Sequence, residues 1–174
     1  AYKTASEHSL SFGPEFAEAE WLSGWIALTF LKSPEYAINH FENLFQSIDP
    51  IAIILYVGGN DLSLGYSENK INELFKSLLN QIRMKFPNCT IFSISIKPSK
   101  HRIDKMNSIK TLNRIMKNEL GKTPKSAFIN IFDKFIDKKG NIINKYFLID
   151  RLHLSQSGYD IWADEVRKSL NSSL

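Results

Sequence analysis

An aspartate and a histidine three residues apart, Asp150-Arg151-Leu152-His153, carry the most pointed chemistry in this chain. On a tight loop the carboxylate can accept a hydrogen bond from the ring nitrogen that faces it. That bond fixes the imidazole tautomer, stabilises the imidazolium and leaves the other nitrogen to act as a base. A second pair, Asn60-Asp61, follows two glycines at the end of an apolar stretch, Ile51 to Tyr56. Glycine permits backbone conformations that bulkier residues resist, so Gly58-Gly59 brings Asn60 close to whatever sits above the strand end. Each piece alone has a plainer reading. Gly-Gly-Asn-Asp is ordinary turn composition, and D-x-x-H on its own describes a hydrogen-bonded histidine near a helix start. The combination is much rarer than either part and favours a site.

These residues need strands and helices to position them. IAIILY, Ile51 to Tyr56, lies between Pro50 and the glycines and predicts a strand buried on both faces of a helix-covered sheet. In open α/β sheets, ligands bind at the carboxyl ends of such strands. Thr90 to Ile96 and Ala127 to Phe132 predict two further strands, and Tyr146 to Ile149 a short apolar approach to Asp150. Helical patterns lie between them. Ser67 reads as an N-cap before Ile71, Leu74, Phe75, Leu78, Leu79 and Ile82, a helix that Pro87-Asn88 ends. Ile103, Met106, Ile109, Leu112, Ile115 and Met116 give the next, ending at Gly121. Ser155 or Ser157 starts the last, with Tyr159, Trp162, Val166 and Leu170 on its buried side. Strands separated by helices imply an α/β domain of three αβα layers around a mostly parallel sheet.

The first third reads differently. Residues 1–12 are polar, carry no strand signal and are taken as irregular. Gly13-Pro14-Glu15 and Ser33-Pro34-Glu35 are helix starts, each with proline in the first turn and an acidic residue suited to the helix dipole. Phe16, Ala19, Leu22, Ile26 and Phe30 predict one buried stripe, and Ala37, Phe41, Leu44, Phe45 and Ile48 a second. Trp21, Trp25, Phe41 and Phe45 fall at helical spacing and are expected in the core.

At 174 residues the chain suits one domain, 1–174, with a proper core and no need of disulfides or metal. A net charge of +4 is spread among interspersed acidic residues, so no phosphate-tracking stripe is visible and a nucleic-acid partner is not expected. The single cysteine, Cys89, excludes an internal disulfide and a cysteine-based zinc site. His8 and His40 lack carboxylate and histidine partners at ligand spacing, and no metal is expected. Lys97, Lys100, His101, Arg102 and Lys105 read as a solvated basic loop after a strand. No apolar run is long enough to span a membrane, and none resembles a signal sequence. The chain starts at Ala1 rather than Met, which leaves a cytoplasmic location and secretion after removal of an N-terminal segment both open.

Gly58-Gly59-Asn60-Asp61 resembles the third conserved block of the SGNH hydrolases, the GDSL-type esterases and lipases, and Asp150-Arg151-Leu152-His153 resembles their fifth. The run DRLHLSQSGYDIWADEV is similar to the family's passage through its last helix, and Ile94 to Arg102 to its connection between the blocks. The likeness covers roughly residues 48 to 170. It implies a flavodoxin-like sheet, with Asn60 donating its amide to an oxyanion, His153 as base and Asp150 as its orienting partner. Glu7-His8-Ser9-Leu10-Ser11-Phe12-Gly13 resembles the family's G-D-S-L-S-F-G with the first two residues replaced, which would make Ser9 the nucleophile. No apolar strand precedes it, since Ala1 to Ser6 is AYKTAS.

The resemblance implies a serine-type ester hydrolase, needing no cofactor, acting on a small-molecule ester or acylated carbohydrate. The alternative is a catalytically inactive relative of the same fold that binds a carbohydrate or acyl ligand. The altered block around Ser9 is its main support.

Overall fold

The computed structural model describes residues 2–173, apart from the side chains of Pro34 and Ser47. The chain divides into two compact units, Ala1–Pro50 and Ile51–Leu174.

The first unit is helical: α1 (Tyr2–Ser6), α2 (Pro14–Thr29) and α3 (Pro34–Ser47). Residues 2–6 are thus helical where the polar composition suggested an irregular segment. Both proline starts hold, and Lys32, at φ 55°, breaks the chain between α2 and α3. The buried face of α2 is Glu20, Ser23, Gly24, Ile26 and Ala27, which corrects the expected stripe. Gly24 explains the rotation. A Cβ there would lie 2.7 Å from Cε1 of Phe41, so the small residues let α3 approach closely and the large ones turn outward. Leu22 and Phe30 are exposed, and Trp21 and Trp25 stack on each other at 6.2 Å with much of their surface open. Phe45 is exposed as well.

The second unit holds a parallel sheet of order β1-β2-β3: β1 (Ala52–Leu55), β2 (Thr90–Ile94) and β3 (Ser126–Ile129). The helices are the short α4 (Gly59–Ser63), then α5 (Glu68–Lys85), α6 (Met106–Gly121) and α7 (Gln156–Ser173). Short 3₁₀ segments cover Lys100–Lys105 (kinked at Arg102), Phe132–Phe135 and Asn144–Tyr146. Phe92, Ile94 and Ile129 pack with Ile131, Phe135 and Leu154, and Ile161, Trp162, Val166 and Leu170 of α7 close over them. Side chains alternate along a strand, so Ile91 and Phe128 face the opposite layer. There α6 buries Ile109, Leu112, Met116 and Leu120, and α5 buries Ile71, Phe75 and Leu79.

β2, not β1, is the fully buried strand. β1 is the edge of the described sheet, and Ile51 and Ile54 keep open surface that a central strand would lose. Ser67 caps α5 by accepting from Lys70 N at 3.3 Å. Along that helix Leu78 is only partly covered and Leu74 is exposed, so the buried stripe is narrower than the sequence suggests. Tyr146 to Ile149 forms no strand, only a bridge between Phe147 and Leu154.

Candidate active site

The loop after the 3₁₀ turn Asn144–Tyr146 places Asp150 and His153 together. Oδ2 of Asp150 lies 2.5 Å from Nδ1 of His153. Its other oxygen, Oδ1, accepts from the backbone N–H groups of Leu152 and His153, both at 2.9 Å. Three donors on one carboxylate, led by the imidazole, hold its pKa well below the usual carboxylate range. An ionised carboxylate can only accept, so Nδ1 carries the proton and Nε2 is left as the basic nitrogen. Arg151 sits at φ 58°, the left-handed conformation that folds the loop back and brings the two N–H groups onto Oδ1. Both side chains keep about half or more of their surface open.

At the end of β1, Gly58 adopts φ 92° and starts α4. Both glycines are closely packed, so an added side chain would push on its neighbours. A Cβ on Gly58 would sit 2.9 Å from Cε of Met116, and one on Gly59 would sit 3.1 Å from Nη1 of Arg102. Asn60 follows, exposed, with its Oδ1 accepting from Nη2 of Arg102 at 3.0 Å. Arg102 also donates from Nε to Oγ of Ser63 at 2.9 Å.

The basic segment after β2 is therefore no solvated loop. Lys97 and Arg102 are both buried. Lys97 donates from Nζ to the Leu152 carbonyl at 2.7 Å, and His101 N donates to the Arg151 carbonyl at 3.4 Å. Residues 97–102 tie the Asn60 turn to the Asp150–His153 loop. Only Lys100 and His101 keep the solvated character expected of the whole run. Nothing in their composition distinguished the buried pair from the exposed one. Beside the same loop, Lys100, Ile142, Asn144, Phe147, Leu148, Ile149 and Arg151 line a cavity of about 330 Å³.

Ser9 belongs to the first unit, exposed in the segment between α1 and α2. Its neighbour His8 has a partner that sequence spacing did not reveal. Nε2 of His8 and Nδ1 of His40 lie 2.8 and 2.9 Å from the two oxygens of buried Glu20, and Asn43 donates to it at 3.2 Å. Burial pushes the Glu20 carboxyl up, but the bonds from His40, His8 and Asn43 outweigh it and the net shift is down. Tyr2 Oη, 3.0 Å from His40 Nε2, extends the cluster. The histidines are thus paired with a shared carboxylate, contrary to the expectation from spacing. No sequence signal marked Glu20, which is one of three glutamates in α2.

A model of the GDSL-like lipase/acylhydrolase family matches residues 23–161. The chain belongs to that family. Among GDSL-like structures, a lipase from Bacteroides thetaiotaomicron aligns with a TM-score of 0.62 at 20% identity, covering 78% of this chain and 67% of that one. A family 3 carbohydrate esterase from Clostridium thermocellum aligns at 0.56 and 25% identity, covering 77% of this chain and 64% of that one. In sequence, "Putative endoglucanase X" of Acetivibrio thermocellus is 27% identical over 133 residues. The chain spans about half of that protein, 55% of its length. The match bears out the family resemblance, and the structural relatives agree with an αβα fold around a parallel sheet. Among the described residues, no helix is long and apolar enough to cross a membrane.

Proposed function

We propose that this chain, read as a single SGNH-type domain over 1–174, is a serine-type ester hydrolase acting on a small-molecule ester or an acylated carbohydrate. The observation that carries the reading is the Asp150–His153 pair, whose carboxylate is anchored by two backbone N–H groups and whose ring is left with a basic Nε2. In this mechanism the nucleophilic serine, which the sequence resemblance would make Ser9, gives its proton to Nε2 as it attacks the ester carbonyl. The carbonyl oxygen takes up the negative charge and is met by the Asn60 amide. Collapse of the tetrahedral intermediate expels the alcohol, which regains the proton from His153. Water then repeats the sequence on the acyl-serine and frees the acid. The carbohydrate esterase among the structural relatives favours acylated sugars within the ester class.

One observation favours a second reading. The family match begins at residue 23 and leaves Ser9 outside it. On that reading the chain binds a carbohydrate or acyl ligand without turnover. Labelling with a fluorophosphonate and mapping the modified residue separates the two. Modification of Ser9 with hydrolysis of p-nitrophenyl acetate supports the enzyme. Modification of another serine reassigns the nucleophile, and no labelling together with no hydrolysis supports the binding protein.

A further inference from the structure

Arg102 is buried, yet among the described residues no carboxylate lies within ion-pair distance of it. Its identified partners are neutral: the Ser63 hydroxyl and the Asn60 carbonyl oxygen. A buried cation is costly unless something answers its charge. Lys97 stands near enough to feel Arg102 as a like charge and Asp150 as an opposite one. A guanidinium can only donate. The oxygen of the Asn60 amide must therefore face Arg102, and the NH₂ group must face the other way. Gly59 makes room for this, because its missing Cβ is what lets Nη1 lie against the turn.

We propose that Arg102 is the positioning residue of the oxyanion donor. Its guanidinium fixes the orientation of the Asn60 amide. Charge that develops on a substrate oxygen then meets a preorganised donor. This rests on the reading of Asn60 as an oxyanion donor, and the two can fail separately.

Hydrolysis of p-nitrophenyl acetate by wild type, Asn60→Ala, Arg102→Met and the double variant forms one test. Arg102→Met should lower kcat about 10–100-fold with little change in KM. It should cost nothing further once Asn60 is alanine. Losses that multiply would overturn the proposal. A wild-type rate in Asn60→Ala would instead overturn the oxyanion reading, leaving the contact itself to the second test. That test needs no activity. Asn60→Asp sets a carboxylate against the guanidinium and should raise Tm by about 2–4 °C. The same substitution in Arg102→Met should give no rise. An equal shift in both backgrounds, or none in either, would overturn the geometry. Should Arg102→Met not fold, Arg102→Lys replaces it in both tests. It keeps the charge but loses the fork that reaches Ser63 and Asn60 at once, so it should recover only part of kcat and part of the Tm rise.

Discussion

Lys97 and Leu152, 55 residues apart in sequence, are joined by a 2.7 Å hydrogen bond from the ammonium to the carbonyl. Leu152 lies between the two halves of the Asp150–His153 pair, so this bond pins the loop from beneath. The ammonium is held at a cost. Burial first, then the charge of Arg102, push the Lys97 pKa down to about 8, against a smaller opposing pull from Asp150.

Stability should therefore depend on pH through Lys97. The folded chain releases this proton near 8 and the unfolded chain near 10.5. Between those values the unfolded chain binds more protons, so stability rises with pH. Relative to Lys97→Met, wild type should gain stability across that window and hold a constant difference below it. Urea unfolding of both proteins at pH about 7 and about 9.5 measures this. A difference that does not change would mean the ammonium is solvated.

Asp150→Asn should lower ester turnover on the order of 10³–10⁴-fold with the fold intact, because an amide no longer selects the useful tautomer. In wild type Asp150 stays ionised well below the usual carboxylate range, so protonation of this carboxylate should not limit the rate in mild acid. Chelation with EDTA should leave the rate unchanged. Full activity in Asp150→Asn, or a rate that tracks added divalent metal, would defeat the triad.

Gly58→Ala tests the turn. The added Cβ meets Met116 and Ile96 at about van der Waals overlap while φ is held at 92°. A cost of about 1–3 kcal/mol is expected from strain and overpacking together. Gly65→Ala is the control. Its φ is 89° but nothing lies within 4 Å, so it should pay for the backbone alone. Equal losses would mean the clash at Gly58 relaxes freely.

Glu20→Gln should destabilise the chain by about 1–3 kcal/mol at neutral pH, since a buried acceptor of three bonds is replaced. The folded carboxyl has a lowered pKa, so its contribution is full above the unfolded value of 4.5. It fades as pH falls through the folded value. Thermal melts of both proteins from neutral to acid pH should show the gap closing. A gap that widens in acid would contradict the assignment.

In the second unit much of the local pattern was readable from the sequence. The period of α5 and α6, the N-cap at Ser67 and the D-x-x-H pairing all follow from local rules, and the structure keeps them. What escaped depends on who the neighbour is. In α2 large apolar residues were expected inside, but Gly24 and Ser23 line the contact because Phe41 needs the room. The burial of Lys97 and Arg102 was hidden for the same reason. A basic run looks alike whether it faces water or the carbonyls of a distant loop. Glu20, His8 and His40 sit 12 and 20 residues apart, beyond the reach of any spacing rule.

The two halves of the second unit's site differ in how far the chain must travel to make them. Asp150 and His153 are closed by bonds spanning two and three residues. The orientation of Asn60 relies on a bond across 42 residues, and the seat of the loop on one across 55. Closing a long loop costs more chain entropy than closing a short one. The carboxylate–imidazole pair is thus nearly self-assembling, while the amide opposite it exists only when the sheet is whole. Partial unfolding of the sheet edge would leave a competent base facing a disordered donor, and catalytic power would fade before the histidine lost its partner.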